Sequence, residues 1–313
     1  MELPTDMHEF CLSFEGYKGD HEQRRLKVLG KFLGLIGYDR APSGPIKTNL
    51  SSQDEVGELT RRRYLVRKGD WDPQPIYEVL PSAGDNGATI LALHGHGNDP
   101  FSGIYDYVYG LARRGYRVVM PILFGTMERE TKGLKPDWRD ICREWSIEAD
   151  VLGISLLGAR LHDARLAYDL CKSLEGVDPD RIGCAGLSMG GELSLYLAAV
   201  EPGIRACVSA GFLSSFQSLL LRKRNCQCYS IRGWPAYFDM PDIAACIAPR
   251  PLQIQKGQDD GCFEAPDVES AFEHLQSVYD RLGAARVCEY RTSPGGHILN
   301  QDLADAWFRK HLA

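Results

Sequence analysis

From about residue 60 onward, short continuous apolar runs alternate with longer stretches whose apolar positions recur every three or four residues. The runs have the pattern of strands covered on both faces, and the stretches that of amphipathic helices. The pattern predicts strands over 60–67, 75–80, 88–93, 116–120, 181–185, 204–210, 252–256 and 285–291, and helices over 104–114, 149–174, 189–200, 268–282 and 299–311. Strand and helix in alternation predict an α/β fold with a doubly wound, mostly parallel sheet and helices on both faces. Residues 1–40 read as an N-terminal helical segment, most clearly over 22–35, and residues 41–57, with Pro42, Gly44 and Pro45, read as a loop. The chain therefore divides into an N-terminal helical extension and loop over 1–57, a candidate cap, and a main α/β domain over 58–313. Segments 126–148 and 211–248 carry no clear period.

One junction is chemically loaded. The strand at 181–185 runs into Gly186-Leu187-Ser188-Met189-Gly190, and a helix follows at once. A serine between two glycines at a strand-to-helix turn is the sequence form of a nucleophile elbow. The turn is tight enough that Gly186 and Gly190 must lack a Cβ, and the serine takes a strained backbone conformation that lifts its hydroxyl off the sheet. The helix N-terminus beneath it favours a developing anion. The plain alternative is a glycine-rich turn with a capping serine.

A serine hydroxyl needs a base to become a nucleophile, and the base needs an acid to orient it. In a parallel sheet these groups come from loops at the carboxyl ends of strands. The loop after 252–256 reads Gly257-Gln258-Asp259-Asp260-Gly261, and the loop after 285–291 ends Pro294-Gly295-Gly296-His297. His297 is the candidate base. Asp259 and Asp260 both fit the acid. Backbone donors for an oxyanion are expected from Met189 and from the loop His94-Gly95-His96-Gly97, through the N–H of His96, with Gly95 and Gly97 allowing close approach. His94 is expected to hold that loop by hydrogen bonds.

Composition narrows the setting. The chain has 313 residues, 44% hydrophobic and 25% charged, with a net charge of −6. The negative balance argues against nucleic acid and anionic membrane as partners, and Arg61–Arg63 and Arg222–Arg224 read as solvated faces. No run of 18 apolar residues exists, so no membrane span is expected. The acidic start lacks the apolar core of a signal peptide, which sets a cytoplasmic expectation, and the ten cysteines are then reduced thiols. Cys184 and Cys207 read as core fillers. Cys226-Gln227-Cys228 is the only close cysteine pair and would need two more ligands to hold a metal, so no metal and no cofactor is expected. The oligomeric state is not legible.

Taken together, LALHGHG at 91–97, VDPDRIGCAGLSMGGELSLYLAA at 177–199, DMPDIAACIAPRPLQIQKGQDD at 239–260 and GGH at 295–297 resemble the α/β-hydrolases. The similar branch is that of the dienelactone hydrolases and acetyl xylan esterases, related to prolyl oligopeptidase-type catalytic domains. The resemblance spans roughly 60–313. It implies the triad Ser188, Asp260 and His297. Asp260 is preferred because Gly257, Asp260 and Phe263 fit the family spacing. Dienelactone hydrolases proper carry cysteine where this chain has Ser188, which points to ester hydrolysis. The resemblance implies a serine carboxylesterase acting on small or medium acyl esters as small-molecule partners. A peptidase or amidase on the same triad, and a non-catalytic receptor on the same scaffold, are the alternatives. Trp138, Trp145, Trp234, Tyr237 and Phe238, in the two irregular segments, are expected near a substrate pocket, with Trp234 the leading candidate.

Overall fold

The structure is a computed structural model that describes residues 10–97, 101, 103–129 and 138–313. Nine strands form one sheet: β1 (Ile46–Val56), β2 (Leu59–Lys68), β3 (Gln74–Pro81), β4 (Thr89–Leu93), β5 (Arg117–Pro121), β6 (Ile182–Leu187), β7 (Ala206–Ala210), β8 (Leu252–Gly257) and β9 (Cys288–Ser293). The spatial order is β1-β2-β3-β5-β4-β6-β7-β8-β9. The first three strands and the β3–β5 pair are antiparallel, and every pairing from β5 to β9 is parallel. Because β4 lies between β5 and β6, the chain reverses its direction of travel across the sheet there. Ligand crevices in open α/β sheets form at such reversals.

The described helices are α1 (His21–Leu35), α2 (Tyr107–Arg113), α3 (Trp138–Val151), α4 (Leu156–Ser173), α5 (Met189–Val200), α6 (Met240–Ala245), α7 (Ala265–Arg281) and α8 (Gln301–His311). Strand alternation divides the core in two. Ile90 and Ala92 of β4 join residues of α2 and α8, while Leu91 and Leu93 join residues of α1, α4, α5, α6 and α7. Successive side chains of one strand point to opposite faces, so each central strand must be apolar throughout. Cys184 and Cys207 are fully buried within this core.

Four expectations are corrected. Residues 10–20 are turns, so the N-terminal helix begins at His21, where the Asp20 side chain accepts from the Gln23 N–H at 2.8 Å; residues 1–9 lie outside the described residues. The expected loop at 41–57 contains β1. That strand has almost no buried side chain, so it shows no apolar alternation; its ladder to β2 holds it, with an Asp54–Arg61 ion pair and a Gln53–Arg62 hydrogen bond across the register. The single helix expected over 149–174 is two helices. Gly153 turns the chain at φ 77°, and the Ser155 side chain caps α4 by accepting from the Gly158 N–H at 3.0 Å. The segment 211–248 also contains α6, whose start is closed by a capping box between Asp239 and Asp242. In 126–148, residues 130–137 lie outside the described residues.

Candidate active site

Ser188 follows β6 directly and has φ 61° and ψ −121°, a region that side-chain-bearing residues seldom enter. Its backbone N–H donates to the Ala210 carbonyl at 2.9 Å, which ties the turn to β7. Its side chain caps no N–H of α5. A Cβ on Gly186 would collide with the Gly190 carbonyl, and one on Gly190 with the Leu93 carbonyl. The two glycines are therefore required by close backbone approach, and the capping-serine alternative does not describe this turn.

His297 and Asp260 meet above the ends of β8 and β9. The Nδ1 of His297 lies 2.8 Å from Oδ2 of Asp260, and Oδ1 of Asp260 accepts from the Cys262 N–H at 2.8 Å. Burial pushes the Asp260 carboxyl up, but the hydrogen bond and charge of His297, with the Cys262 N–H, outweigh it and leave the pKa below the ordinary value. Asp259 is exposed, and what it contributes to the loop is its backbone N–H, which donates to the Gly295 carbonyl at 2.9 Å. Phe263 stacks on the imidazole at 6.1 Å between ring centroids, with the planes 12° apart. Gly211, after β7, was not singled out from the sequence. At φ 57°, its missing Cβ would stand 2.8 Å from Cε1 and 2.9 Å from Nδ1 of His297, so any side chain there would push the imidazole off Asp260. The signal was present: a glycine directly after an apolar strand, as at the elbow.

The loop after β4 packs against the elbow. A Cβ on Gly95 would sit 3.3 Å from the Ser188 Cβ and 2.8 Å from the Leu187 carbonyl, and one on Gly97 would meet the Tyr105 ring at 2.7 Å. Tyr105 donates its hydroxyl to the His96 carbonyl. His94 is fully buried. Its Nε2 accepts from the Leu123 N–H at 3.1 Å, so Nδ1 carries the proton and donates to the Gly95 carbonyl at 2.8 Å. Burial lowers its pKa to about 4. Between about pH 6.5 and 4 the unfolded chain therefore binds a proton at this position that the folded chain refuses, and stability falls as pH falls. Asp239, raised to about 6 by burial, works in the opposite direction, so the His94 share is read as a difference. The stability advantage of wild type over His94→Asn in urea unfolding is expected to shrink by on the order of 3 kcal/mol between pH 7 and pH 4.5. A constant difference across that range would contradict a neutral, buried His94.

A cleft of about 400 Å³ opens over these residues, lined among others by His96, Ser188, Tyr229, Phe263 and His297. Lys223 and Arg224, expected on a solvated face, stand on its rim. Tyr229 comes from the segment expected to be irregular and brings its hydroxyl to 3.5 Å from Ser188 Oγ. Burial raises its pKa well above the ordinary value and keeps it a hydrogen-bond donor. No hydrogen bond joins Ser188 to His297 here. None of residues 10–57 lines the cleft.

Trp234 does not line it either. It is buried against Phe216, at 4.8 Å between ring centroids, and Phe10, at 6.0 Å. Trp145 packs on Phe124 at 4.7 Å, Phe238 on Phe32, and Lys31 lies over the Tyr237 ring. Trp138 is the first residue of α3. Trp234, Trp145, Tyr237 and Phe238 fasten their segments to the core, because apolar area is buried more completely there than in an open cleft. Trp234→Ala is accordingly expected to cost about 3–5 kcal/mol of stability while leaving preference among acyl chain lengths unchanged. Thermal unfolding and an ester series measure both.

The expectation that Cys226 and Cys228 lack further ligands is also corrected. His96 and Cys142, far away in sequence, bring their ligand atoms into the same cluster.

Residues 147–278 match the Abhydrolase family. The Bacillus subtilis (strain 168) protein named "Putative hydrolase YtaP" is 25% identical over 290 residues, covering 88% of this chain and 93% of its own. Among solved structures, the methylesterase BT1017 superposes with a TM-score of 0.73 at 18% identity, over 94% of this chain and 65% of that longer one. The glucuronoyl esterase from Solibacter usitatus superposes with 0.68 at 17% identity, over 99% and 98%. The chain has the α/β-hydrolase fold. Because every pairing from β5 to β9 is parallel, the loops after β4, β6, β7, β8 and β9 share one end of the sheet. This is why His96, Ser188, Gly211, Asp260 and His297 meet although the first and last are 201 positions apart in the sequence. Among the described residues, no helix is long and apolar enough to cross a membrane.

Proposed function

We propose that the protein is a serine carboxylesterase that cleaves small or medium acyl esters through a Ser188–His297–Asp260 triad. The observation that carries this reading is the pairing of His297 Nδ1 with Asp260 in the cleft that also exposes Ser188. With Nδ1 committed to Asp260, Nε2 is the ring nitrogen left to take the Ser188 proton. Ser188 Oγ attacks the acyl carbonyl, and the N–H groups of Met189 and His96 receive the oxyanion. The imidazolium, stabilised by Asp260, returns the proton to the leaving alcohol, and water deacylates the enzyme by the same route. The missing Ser188–His297 hydrogen bond fits an unliganded site, where such contacts are often long and tighten with substrate. The cleft volume suits a small acyl group. The chain's likeness to a methylesterase and a glucuronoyl esterase supports an ester substrate.

The test is a panel of p-nitrophenyl esters of graded chain length, acetylated sugars, glucuronoyl esters and aminoacyl-arylamides. Esters are expected to be cleaved in preference to arylamides. Preference for arylamides would make the protein an amidase, and no turnover with tight small-molecule binding would make it a receptor.

A further inference from the structure

Beside the elbow, four side chains converge that no step above uses. His96 Nε2 lies 3.2 Å from Cys142 Sγ and 3.3 Å from Cys228 Sγ, and Cys226 Sγ completes a group whose four atoms all lie within 4.8 Å of one another. The three cysteines are buried. The four ligands come from separate places: His96 from the loop after β4, Cys142 from helix α3, and Cys226 and Cys228 from the segment between β7 and α6. In a tetrahedral zinc site with Zn–S near 2.3 Å and Zn–N near 2.05 Å, the sulfur–nitrogen edges are about 3.6 Å and the sulfur–sulfur edges about 3.8 Å. The observed spacing is within a few tenths of an ångström of the first, and its upper limit accommodates the second.

A second observation is independent of this geometry. Arg160 is one of the largest fully buried side chains of the protein, and among the described residues no carboxylate forms an ion pair with it: Asp163 pairs with Arg129, and burial pushes the Glu192 carboxyl well up, toward its neutral form. Its guanidinium lies 3.5 Å from Cys142 Sγ, 3.0 Å from the Met189 sulfur and 3.0 Å from the Phe124 carbonyl. A buried cation is costly unless an anion accompanies it. Three thiolates, a neutral imidazole and a divalent ion sum to −1, which Arg160 balances.

We propose that His96, Cys142, Cys226 and Cys228 form a Cys3His site for a zinc ion. Binding forms three Zn–S bonds and one Zn–N bond and releases three thiol protons to solvent. Four protein ligands close the coordination shell, so the ion is structural and leaves no position for water or substrate. It fastens α3 and the Cys226–Tyr229 turn to the His96 loop, and so fixes the backbone of His96 and the Tyr229 hydroxyl beside Ser188. This last consequence rests on the esterase reading, whereas the metal content does not.

The test is elemental analysis of the wild-type protein, expressed with zinc in the medium and purified without chelator, alongside intact mass and thiol titration. About one zinc per chain is expected. Cobalt substitution should give thiolate-to-metal charge transfer and the visible absorption of a tetrahedral site. Cys142→Ser and Cys228→Ser should each retain less than about a tenth of the metal, and Arg160→Gln should weaken zinc affinity by about 10–100-fold. A metal-free chain lighter by two hydrogens would replace the site with a disulfide, and a metal-free chain with ten reactive thiols would leave an unliganded cluster; either overturns the proposal. The wild-type stoichiometry decides even where a variant fails to fold. No activity is read, so an esterase that binds no zinc and a zinc protein that cleaves no ester give separate results.

Discussion

Ser188→Ala is expected to lower kcat for ester hydrolysis by roughly 10³-fold or more and to leave the protein folded. Both halves follow from the turn. The hydroxyl is the only nucleophile the elbow presents, and the residual rate comes from substrate binding and the oxyanion donors alone. Meanwhile Ser188 Oγ caps no helix N–H, and its hydrogen-bond contact, to the Tyr229 hydroxyl, is at the 3.5 Å limit of hydrogen bonding. The fold therefore loses almost nothing with that oxygen. The elbow rests on Gly186, Gly190 and the Ser188 N–H to Ala210 carbonyl bond, none of which the substitution touches. Steady-state kinetics and thermal unfolding measure the two. An active Ala variant would remove Ser188 from the mechanism, and an inactive but unfolded one would assign it a structural role.

Asp260→Asn is expected to lower kcat by about 10²–10⁴-fold, and Asp259→Asn by less than about tenfold. An amide at position 260 offers an N–H where the carboxylate offered an acceptor, so His297 is driven to the wrong tautomer. It also cannot stabilise the imidazolium. Asp260 is almost wholly buried, bonded to His297 and to the Cys262 N–H, and has no solvent to replace these partners. Asp259 faces solvent and gives the loop only its backbone N–H, which asparagine keeps. The reverse ranking would place the acid one residue earlier.

Much of this site was legible because its parts obey local rules. The elbow shows as two glycines around a serine at a strand-to-helix junction. His297 shows as a histidine behind Gly295-Gly296 at the end of a strand. The central strands show as runs apolar on both faces. What escaped had other causes. β1 is held by backbone pairing and charged cross-strand partners, so it leaves no hydrophobic period to read. The break between α3 and α4 was signalled by Gly153 and Ser155, but the apolar stripe ran on across them. The placement of Trp234 depends on which way a nonperiodic segment folds back, and the pull of buried area took it into the core. Asp260 over Asp259 rested on family spacing, since either could end the same turn. The His96–Cys142–Cys228 contacts span 46 and 132 residues, and no spacing rule reaches across the three elements that supply them.

The most direct measurement is the mass and position of the adduct left by a fluorophosphonate, or by a slowly hydrolysed ester trapped in acid. Only a serine activated by a neighbouring base attacks such reagents readily. One adduct per chain is expected, on the peptide containing Ser188, forming with the same rate constant as activity is lost and much more slowly in Asp260→Asn. An adduct on another residue, or a protein that turns over esters while Ser188 stays unmodified, would contradict the account.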